Sequence, residues 1–311
     1  MENKLLLSSS PHLHCNNSTT KIMLDVIISL LPATVAGIII FGINALLVIL
    51  VTVAAAVLSE YVFNLILKKK QTITDLSAVV TGLLLALNLP ANTPLWQGAV
   101  GSVFAIIVVK CIFGGIGQNV VNPAITARVF MLIAFTNMAK AATPVIDAMS
   151  GATPLARFKA GETMQPIKDL FLGNIGGAIG ETCALALLIG GAYLLIRRVI
   201  TWQIPVAYIG TVFLFVFFLE GFDPVMALSH ILSGGLFIGA FFMATDYVTS
   251  PSTPSGKLIF GLGAGLLTVI IRYYGGYPEG VSFAILLMNI LNPYIEAWTP
   301  RKLFGVGGRK K

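Results

Sequence analysis

The sequence predicts an all-α integral membrane protein, and its composition is the first reason. Hydrophobic residues make up 56% of the 311 residues and charged residues only 11%, against about 25% charged residues in ordinary soluble domains. The formal net charge of +7 comes from short basic clusters between apolar runs rather than from one continuous basic face. This pattern argues against a nucleic-acid-binding protein and is typical of a multi-pass membrane chain.

The length of the apolar runs is the second reason. A bilayer hydrocarbon core about 30 Å thick requires about 20 apolar residues per helix, and by this criterion the chain contains roughly ten spans. Pro32 interrupts the first run, and Asn122-Pro123 begins the fifth. The predicted spans centre near Ile28, Val51, Leu84, Ala105, Met131, Leu187, Val212, Phe237, Leu266 and Ala284.

The distribution of Lys and Arg between the spans predicts the orientation. With a cytoplasmic N-terminus, the clusters Lys68-Lys69-Lys70 and Arg197-Arg198, together with Lys257 and the basic C-terminal tail, all lie inside. The uncharged loop 88–97 then lies outside, which is the positive-inside pattern. Both termini are therefore predicted to be cytoplasmic, and the polar loop between the fifth and sixth spans is predicted to be extracytoplasmic.

An internal repeat is the third reason. The order of Gly, Pro and Asn landmarks from Thr81 to Asn122-Pro123 recurs from Ile238 to Asn292-Pro293. Five spans per copy is an odd number, so the copies must be inverted, as in many transporters; the alternative is that Gly and Pro are simply common in membrane helices. The whole chain, 1–311, is predicted to be one membrane domain, with repeat one at about 22–138, an extracytoplasmic loop at about 139–174 and repeat two at about 175–298.

The outer loop contains the most informative motif, in the segment from Asp147 to Ala156. Its pattern Asp-x-x-Ser-Gly-Ala-Thr resembles loops in which the threonine is joined to FMN by a phosphoester, and that residue here is Thr153. Ser-Gly-Ala-Thr-Pro is also ordinary turn chemistry, which is the alternative interpretation of this segment alone.

Charged residues inside predicted spans are costly and therefore informative. Lys110 and Arg272 lie near Gly-Gly helix ends and are expected to snorkel to the membrane surface. Arg272 has Glu279 close by in sequence, so we expect a salt bridge between them, with a flavin phosphate as the alternative partner. Arg128 follows the Asn122-Pro123 break and needs a carboxylate, carbonyl or water partner.

Other polar residues of the spans have more ordinary interpretations. His230 is expected to be a core histidine with satisfied hydrogen bonds rather than a proton relay. Asp246 either caps a helix or contributes to an ion or flavin site, while Asp25, Asp75 and Glu60 lie near predicted membrane interfaces and indicate little. Cys15, Cys111 and Cys183 are far apart, so neither a metal site nor an iron–sulfur site is predicted, and we expect no catalytic residue on this chain.

Six segments of the chain resemble a known family. They are Ser10-Pro11-His12, the run from Gly114 to Ala124, the loop around Thr153, Ala244-Thr245-Asp246, the run from Gly256 to Gly261 and the run from Gly275 to Val281. Together they resemble the D subunit of the Rnf complex over nearly the whole chain. That family is related to the B subunit of the Na⁺-pumping NADH:quinone oxidoreductase.

The resemblance implies a urea-channel-like fold of two inverted five-helix repeats in a bacterial cell (inner) membrane. It implies membership of an ion-translocating oxidoreductase that couples electron transfer between ferredoxin and NAD to Na⁺ or H⁺ translocation. Thr153 would carry covalent FMN, a second noncovalent flavin such as riboflavin would bind elsewhere, and the A, B, C, E and G subunits of the Rnf complex would be the partners. The alternatives are a component like the B subunit of the quinone reductase and a stand-alone urea-type channel or transporter.

Overall fold

The structure is a computed structural model, and it describes residues 18–135, 153–277 and 279–300. These parts of the chain are helical, with one isolated β-bridge between Pro90 and Ala178. The helices are α1 Thr19–Phe41, α2 Ile43–Ile66, α3 Ser77–Leu87, α4 Leu95–Cys111, α5 Pro123–Ala134, α6 Pro154–Lys159, α7 Ile167–Leu172, α8 Ala184–Ile196, α9 Gln203–Leu219, α10 Pro224–Leu232, α11 Leu236–Met243, α12 Pro254–Tyr274 and α13 Val281–Trp298.

The protein is an integral membrane protein by the length and apolarity of these helices. Among the described residues, α1, α2, α12 and α13 are long and apolar enough to cross a bilayer, and α10 with α11 forms a fifth such element bent by 67°. Shorter apolar helices are α3, α4, α5, α8 and α9. Each of the ten predicted centres lies inside one of these helices, although most of the helices are shorter than the 20 residues expected of a full span.

Local sequence determines where several helices begin. The Ser18 hydroxyl accepts a hydrogen bond from the Lys21 amide at the start of α1, and Gly42, with a φ of +71°, separates α1 from α2. The expected interruption at Pro32 is wrong, because α1 continues through this residue. Membrane helices tolerate proline because neighbouring helices and side chains can satisfy the backbone carbonyl that loses its amide partner.

The two Asn-Pro landmarks of the predicted repeat have different structural roles. The Asn122 side chain caps α5 by accepting hydrogen bonds from the amides of Ala124 and Ile125 at 3.0 and 3.3 Å, with Pro123 at the first helical position. Pro293 instead lies inside α13. The prediction that these landmarks are equivalent is therefore wrong, since an Asn-Pro pair begins a helix in one place and lies within a helix in the other.

The helices pack as two neighbouring groups. In the first part of the chain α2 packs against α3 and α4, and in the second part α12 packs against α9 and α13. The groups meet where α1 contacts α8 and α5 contacts α13. A Cβ atom at Gly190 of α8 would lie 2.1 Å from the Ser29 carbonyl oxygen of α1, so only glycine permits this close approach of the two helices.

Breaks in the helices place backbone groups inside the protein. The residues Leu76 and Gly234, each with positive φ, precede α3 and α11. The carbonyl groups of Leu87 and Leu89, at and just beyond the end of α3, accept hydrogen bonds from the amides of Gly180 and Ile179 at 2.7 and 3.0 Å. Irregular backbone is tolerated at membrane depth only where it is buried in protein or lines a water-filled cavity. These breaks are therefore places where polar backbone groups lie inside the protein.

Candidate functional site

Thr153 is the first described residue after the segment 136–152, and it caps the short helix α6. Its Oγ1 accepts a hydrogen bond from the Ala156 amide at 3.2 Å, while Pro154 and Leu155 are buried beneath it. The Thr153 side chain itself is half-buried. The remainder of the attachment pattern, 147–152, lies outside the described residues.

The far end of α6 is held against the second group of helices. The Lys159 ammonium donates to the backbone carbonyls of Gly275 and Tyr277, and desolvation lowers the pKa of Lys159 from its usual value. Phe158 contacts the His230 ring edge-on, with 4.5 Å between ring centroids. The loop that contains Thr153 is thereby attached to α10 and α12.

A small cavity lies directly beneath Thr153. Two carboxylates, those of Glu181 and Glu279, line it together with Thr153 and Gly234. A Cβ atom at Gly235 would lie 2.6 Å from Glu181 Oε1, so the Glu181 carboxylate rests against the backbone break that begins α11. Glu181 is not among the residues predicted from the sequence, where its one signal is that it is the lone acid of the glycine-rich stretch 173–183.

Two arginines provide the positive charge opposite these carboxylates. The Arg128 Nη2 lies 3.3 Å from Glu279 Oε2, and Arg128 is only 2% exposed. The expectation that Arg128 needs a carboxylate, carbonyl or water partner is confirmed. Its Nε and Nη1 have no hydrogen-bond partner among the described residues, so this guanidinium is only partly satisfied.

Arg272 is held by backbone oxygens rather than by a carboxylate. Its guanidinium donates to the carbonyls of His230 at 2.6 Å, Ser233 at 3.1 Å and Glu279 at 3.3 Å. The predicted salt bridge between Arg272 and Glu279 is wrong, because the Glu279 carboxylate pairs with Arg128 instead. Glu279 does contact Arg272, as its proximity in sequence suggested, but through its backbone carbonyl. Its carboxylate is paired with Arg128, which α5 brings to it.

The expected snorkelling of Lys110 and Arg272 is also wrong. Lys110 and Arg272 are 3% and 1% exposed, so both side chains end inside the protein and not at its surface. Lys110 Nζ donates to Glu60 Oε2 at 2.9 Å and to the Ser77 hydroxyl at 2.6 Å. Burial with these partners offsets the cost of the charge, which is why no escape to water is needed.

His230 is buried as expected, but it is not satisfied. It is fully enclosed, and neither ring nitrogen has a hydrogen-bond partner among the described residues. Its ring stacks on Tyr273 with 5.7 Å between centroids, and the Tyr273 hydroxyl donates to Glu220 at 2.6 Å. The histidine therefore belongs to an aromatic group that connects α6, α10 and α12.

A second and larger cavity, of about 110 Å³, lies between α3, α5 and α11. Its walls are mainly apolar and include Phe241 and Phe242, and Asn119, Asn122 and Asp246 add polar groups. Asp246 accepts hydrogen bonds from the Val248 amide and the Thr249 hydroxyl. These partners lie in the turn that follows α11 and not at the start of a helix, and Thr253 caps α12, so the expected helix cap at Asp246 is wrong. Asp246 instead orders this turn and lines the cavity.

The described residues contain no group of three His, Cys, Asp or Glu side chains that could hold a metal ion. Cys111 and Cys183 are free thiols, and Cys15 lies outside the described residues. Glu60 and Asp25, which indicated little in the sequence, form ion pairs with Lys110 and Arg197. Their partners lie 50 and 172 positions away along the chain, so no local signal could have shown the pairing.

Broken helices, an apolar exterior and buried charged residues within a largely apolar core define a polytopic helical membrane protein. Comparison with known proteins then gives the family. Residues 6–305 match the model described as the NQR2, RnfD, RnfE family, and the chain belongs to this family.

Curated relatives match this chain over nearly their full length. The chain is 50% identical to the D subunit of the Na(+)-translocating ferredoxin:NAD(+) oxidoreductase complex of Acetobacterium woodii, covering 100% of this chain and 98% of the relative. It is 44% identical to the D subunit of the proton-translocating ferredoxin:NAD(+) oxidoreductase complex of Clostridium ljungdahlii, covering 98% and 97%. It is 39% identical to the D subunit of the ion-translocating oxidoreductase complex of Stutzerimonas stutzeri, covering 95% and 94%. The expected resemblance to the D subunit of the Rnf complex is confirmed.

Proposed function

We propose that this chain is the flavin-carrying membrane subunit of an Rnf-type complex, which couples electron transfer between ferredoxin and NAD to ion translocation. The family and the names of the full-length relatives support the complex. The observation that carries the flavin assignment is Thr153, which stands at the matched position of the attachment pattern and at a half-buried helix cap.

The surroundings of Thr153 fit a phosphoester. In its hydrogen bond with the Ala156 amide the Thr153 oxygen is the acceptor, so its proton is not needed to hold the local structure. An ester oxygen retains lone pairs and can keep this role after attachment. A bound flavin would supply one- and two-electron transfer, and the chain would supply the position and the charges of Arg128, Glu181, Glu279 and Arg272.

The other redox centres must come from partner subunits. The three cysteines of the sequence are too far apart to suggest an iron–sulfur site. We therefore propose that this protein works within a hetero-oligomer with the A, B, C, E and G subunits of the Rnf complex, and exchanges electrons indirectly with ferredoxin and NAD.

The architecture we propose consists of two inverted five-helix repeats, as in urea channels. It is supported by the similar order of elements, in which positive-φ residues precede α3 and α11, and by contacts of α1 with α8 and α5 with α13. Lysines and arginines follow α2 and α8, which supports cytoplasmic termini and an extracytoplasmic Thr153 in a bacterial inner membrane.

The noncovalent riboflavin is not assigned to the cavity between α3, α5 and α11. Its volume of about 110 Å³ is well below the roughly 300–1,000 Å³ of small-molecule sites. The coupling ion is left as Na⁺ or H⁺, since the two relatives described above carry different ions in their names.

The test is covalent flavin on the denatured full-length chain. The chain is produced with the flavin transferase, and ultraviolet fluorescence of its gel band is compared in wild type, Thr153→Ala and Thr163→Ala. We expect Thr153→Ala to lose the fluorescent band and Thr163→Ala, an exposed threonine of the same region, to keep it. A band that persists in Thr153→Ala contradicts the assignment, and a dark wild type favours the channel or transporter alternative.

A further inference from the structure

The small cavity beneath Thr153 has the size and the lining of a site for a proton. Its volume is about 10 Å³, close to the roughly 10–15 Å³ that one water molecule needs and far below the roughly 300–1,000 Å³ of small-molecule sites. Thr153 forms part of its wall, and so do the two acids Glu181 and Glu279. A cavity of this size excludes an organic ligand and admits a proton carried by water.

Glu181 is an acid of this cavity whose charge is not fixed by an ion pair. It is 6% exposed, and a Cβ atom at Gly235 would lie 2.6 Å from its Oε1, so the carboxyl group is enclosed by the start of α11. Glu181 belongs to none of the three ion pairs formed by the described residues. Burial without a cation in contact disfavours a charged carboxylate, and binding of a proton removes this cost.

The charges around Glu181 make it the member of this cluster that can change its charge. Among the described residues, the charged side chains that act on it are Glu279, before α13, Arg128 of α5 and Arg272 of α12. Arginine stays protonated in proteins, and the contact of Arg128 with Glu279 stabilises the ionised form of that acid. Two arginines and two ionised glutamates sum to zero, so the cluster is neutral with Glu181 ionised and carries +1 with Glu181 protonated.

This cluster is placed to respond to a charge at Thr153. Thr153 and Glu181 line the same small cavity, and charges interact more strongly in a buried site than in water. With Glu181 protonated, the +1 charge of the cluster stabilises a negative charge added at Thr153. The Glu279 side chain is 20% exposed and Thr153 is half-buried, so this edge of the cavity gives a proton access from water.

We propose that Glu181 is a proton-binding residue coupled to the charge at Thr153. When one electron from a redox centre of a partner subunit reaches the flavin site at Thr153, one proton from water joins the Glu181 carboxylate and gives the neutral acid; reoxidation releases both. The net charge of the buried site is then the same in both states. The electron in this scheme rests on the proposed function, whereas proton binding by Glu181 depends only on this chain, and it holds whether the coupling ion is Na⁺ or H⁺.

The first measurement needs no flavin. The full-length chain, produced without the flavin transferase, is titrated with acid in detergent while infrared spectroscopy in H₂O and D₂O follows the C=O band of protonated carboxyl groups. Wild type is compared with Glu181→Gln and with Glu162→Gln, the matched control, because Glu162 is an exposed acid of the segment between α6 and α7. We expect Glu181→Gln to lose the band of one acid that titrates apart from the exposed carboxylates, and Glu162→Gln to keep it.

Two results decide this measurement. A titration that is the same in wild type and Glu181→Gln overturns proton binding by Glu181. If Glu181→Gln does not fold, Glu181→Asp decides, since it keeps a carboxyl group whose band must change position if the band belongs to this residue. An unchanged band in Glu181→Asp overturns the proposal.

The second measurement tests the coupling on the flavin-carrying chain. The protein is reduced at an electrode in weakly buffered solution, and the protons taken up are counted with a pH indicator. We expect Glu181→Gln to take up one proton fewer per reduced chain than wild type, and Glu162→Gln to match wild type. Equal uptake in wild type and Glu181→Gln overturns the coupling to Thr153. A wild-type chain without covalent flavin overturns the proposed function and this coupling, while the first measurement still decides whether Glu181 binds a proton.

Discussion

Removal of the Glu279 carboxylate tests whether the buried charge pair with Arg128 holds α5 to the second group of helices. In Glu279→Ala, Arg128 remains 2% exposed and loses Nη2–Oε2, the one ion-pair contact of this guanidinium among the described residues. Breaking a buried pair in this way costs about 3–5 kcal/mol. Because the Glu279 side chain is 20% exposed, we expect the lower end, about 3 kcal/mol.

The backbone at this position is not disturbed by the change. Arg272 contacts the Glu279 carbonyl oxygen and not its carboxylate, so side-chain truncation leaves that bond in place. Glu279→Gln keeps an acceptor for Arg128 and removes only the charge, and we expect it to cost about 1–2 kcal/mol. The difference between the two variants separates the hydrogen bond from the ionic contribution.

The measurement is the free energy of unfolding in detergent by titration with a denaturant, followed by circular dichroism. The control is Arg197→Met, which breaks the pair with Asp25; the Arg197 side chain is 56% exposed, and such pairs contribute about 0–1 kcal/mol. Adding Arg128→Met to Glu279→Ala should recover most of the loss, since the unpaired charge is then gone. The reasoning is refuted if Glu279→Ala costs no more than Arg197→Met, or if the Arg128→Met loss simply adds to it.

Two other predictions concern packing and charge elsewhere in the fold. Lys110→Met leaves the Glu60 carboxylate, 3% exposed, without its cation and should cost about 3 kcal/mol in the same unfolding assay; a further Glu60→Gln change should restore stability, and a purely additive loss would contradict the pairing. Gly190→Ala places a Cβ atom 2.1 Å from the Ser29 carbonyl oxygen and should cost at least about 1–3 kcal/mol. Gly210→Ala, where a Cβ atom meets nothing within 4 Å, should be neutral or stabilising by about 0.5–1 kcal/mol, and equal effects at the two glycines would contradict the close α1–α8 contact.

The sequence predicted the helical elements well because apolar run length is a local property. All ten predicted centres lie in helices, and even the broken element around Phe237 was located correctly. Pro32 was misjudged because neighbouring structure, and not local propensity, decides whether a membrane helix continues through proline. The two Asn-Pro pairs have the same local sequence, but one begins α5 and the other lies inside α13.

The interior of the site was less predictable because its partners are distant in the chain. Arg128 meets Glu279 across 151 positions, and no spacing rule links them. A charged residue in a span indicates that it needs a partner, and this much was correct for Arg128. Which residue provides the partner depends on how α5, α12 and α13 pack. For Lys110 and Arg272 the prediction of snorkelling is wrong, because partners distant in sequence hold both side chains inside the protein.

The wider turns at the ends of α4 and α11 affect how this protein tolerates changes in length. Phe104–Cys111 and Gly239–Met243 are π-helical, and such a turn holds more residues than an α-helical turn. Losing one residue there would let the segment return to ordinary α-helical winding while the turns on either side keep their orientation, because the π turn accommodates one extra residue. In a regular α-helical stretch such as α2, the same loss would rotate every residue beyond it by about 100° and turn Glu60 away from Lys110. The two π-helical segments are therefore the places in these helices where a one-residue deletion should be best tolerated.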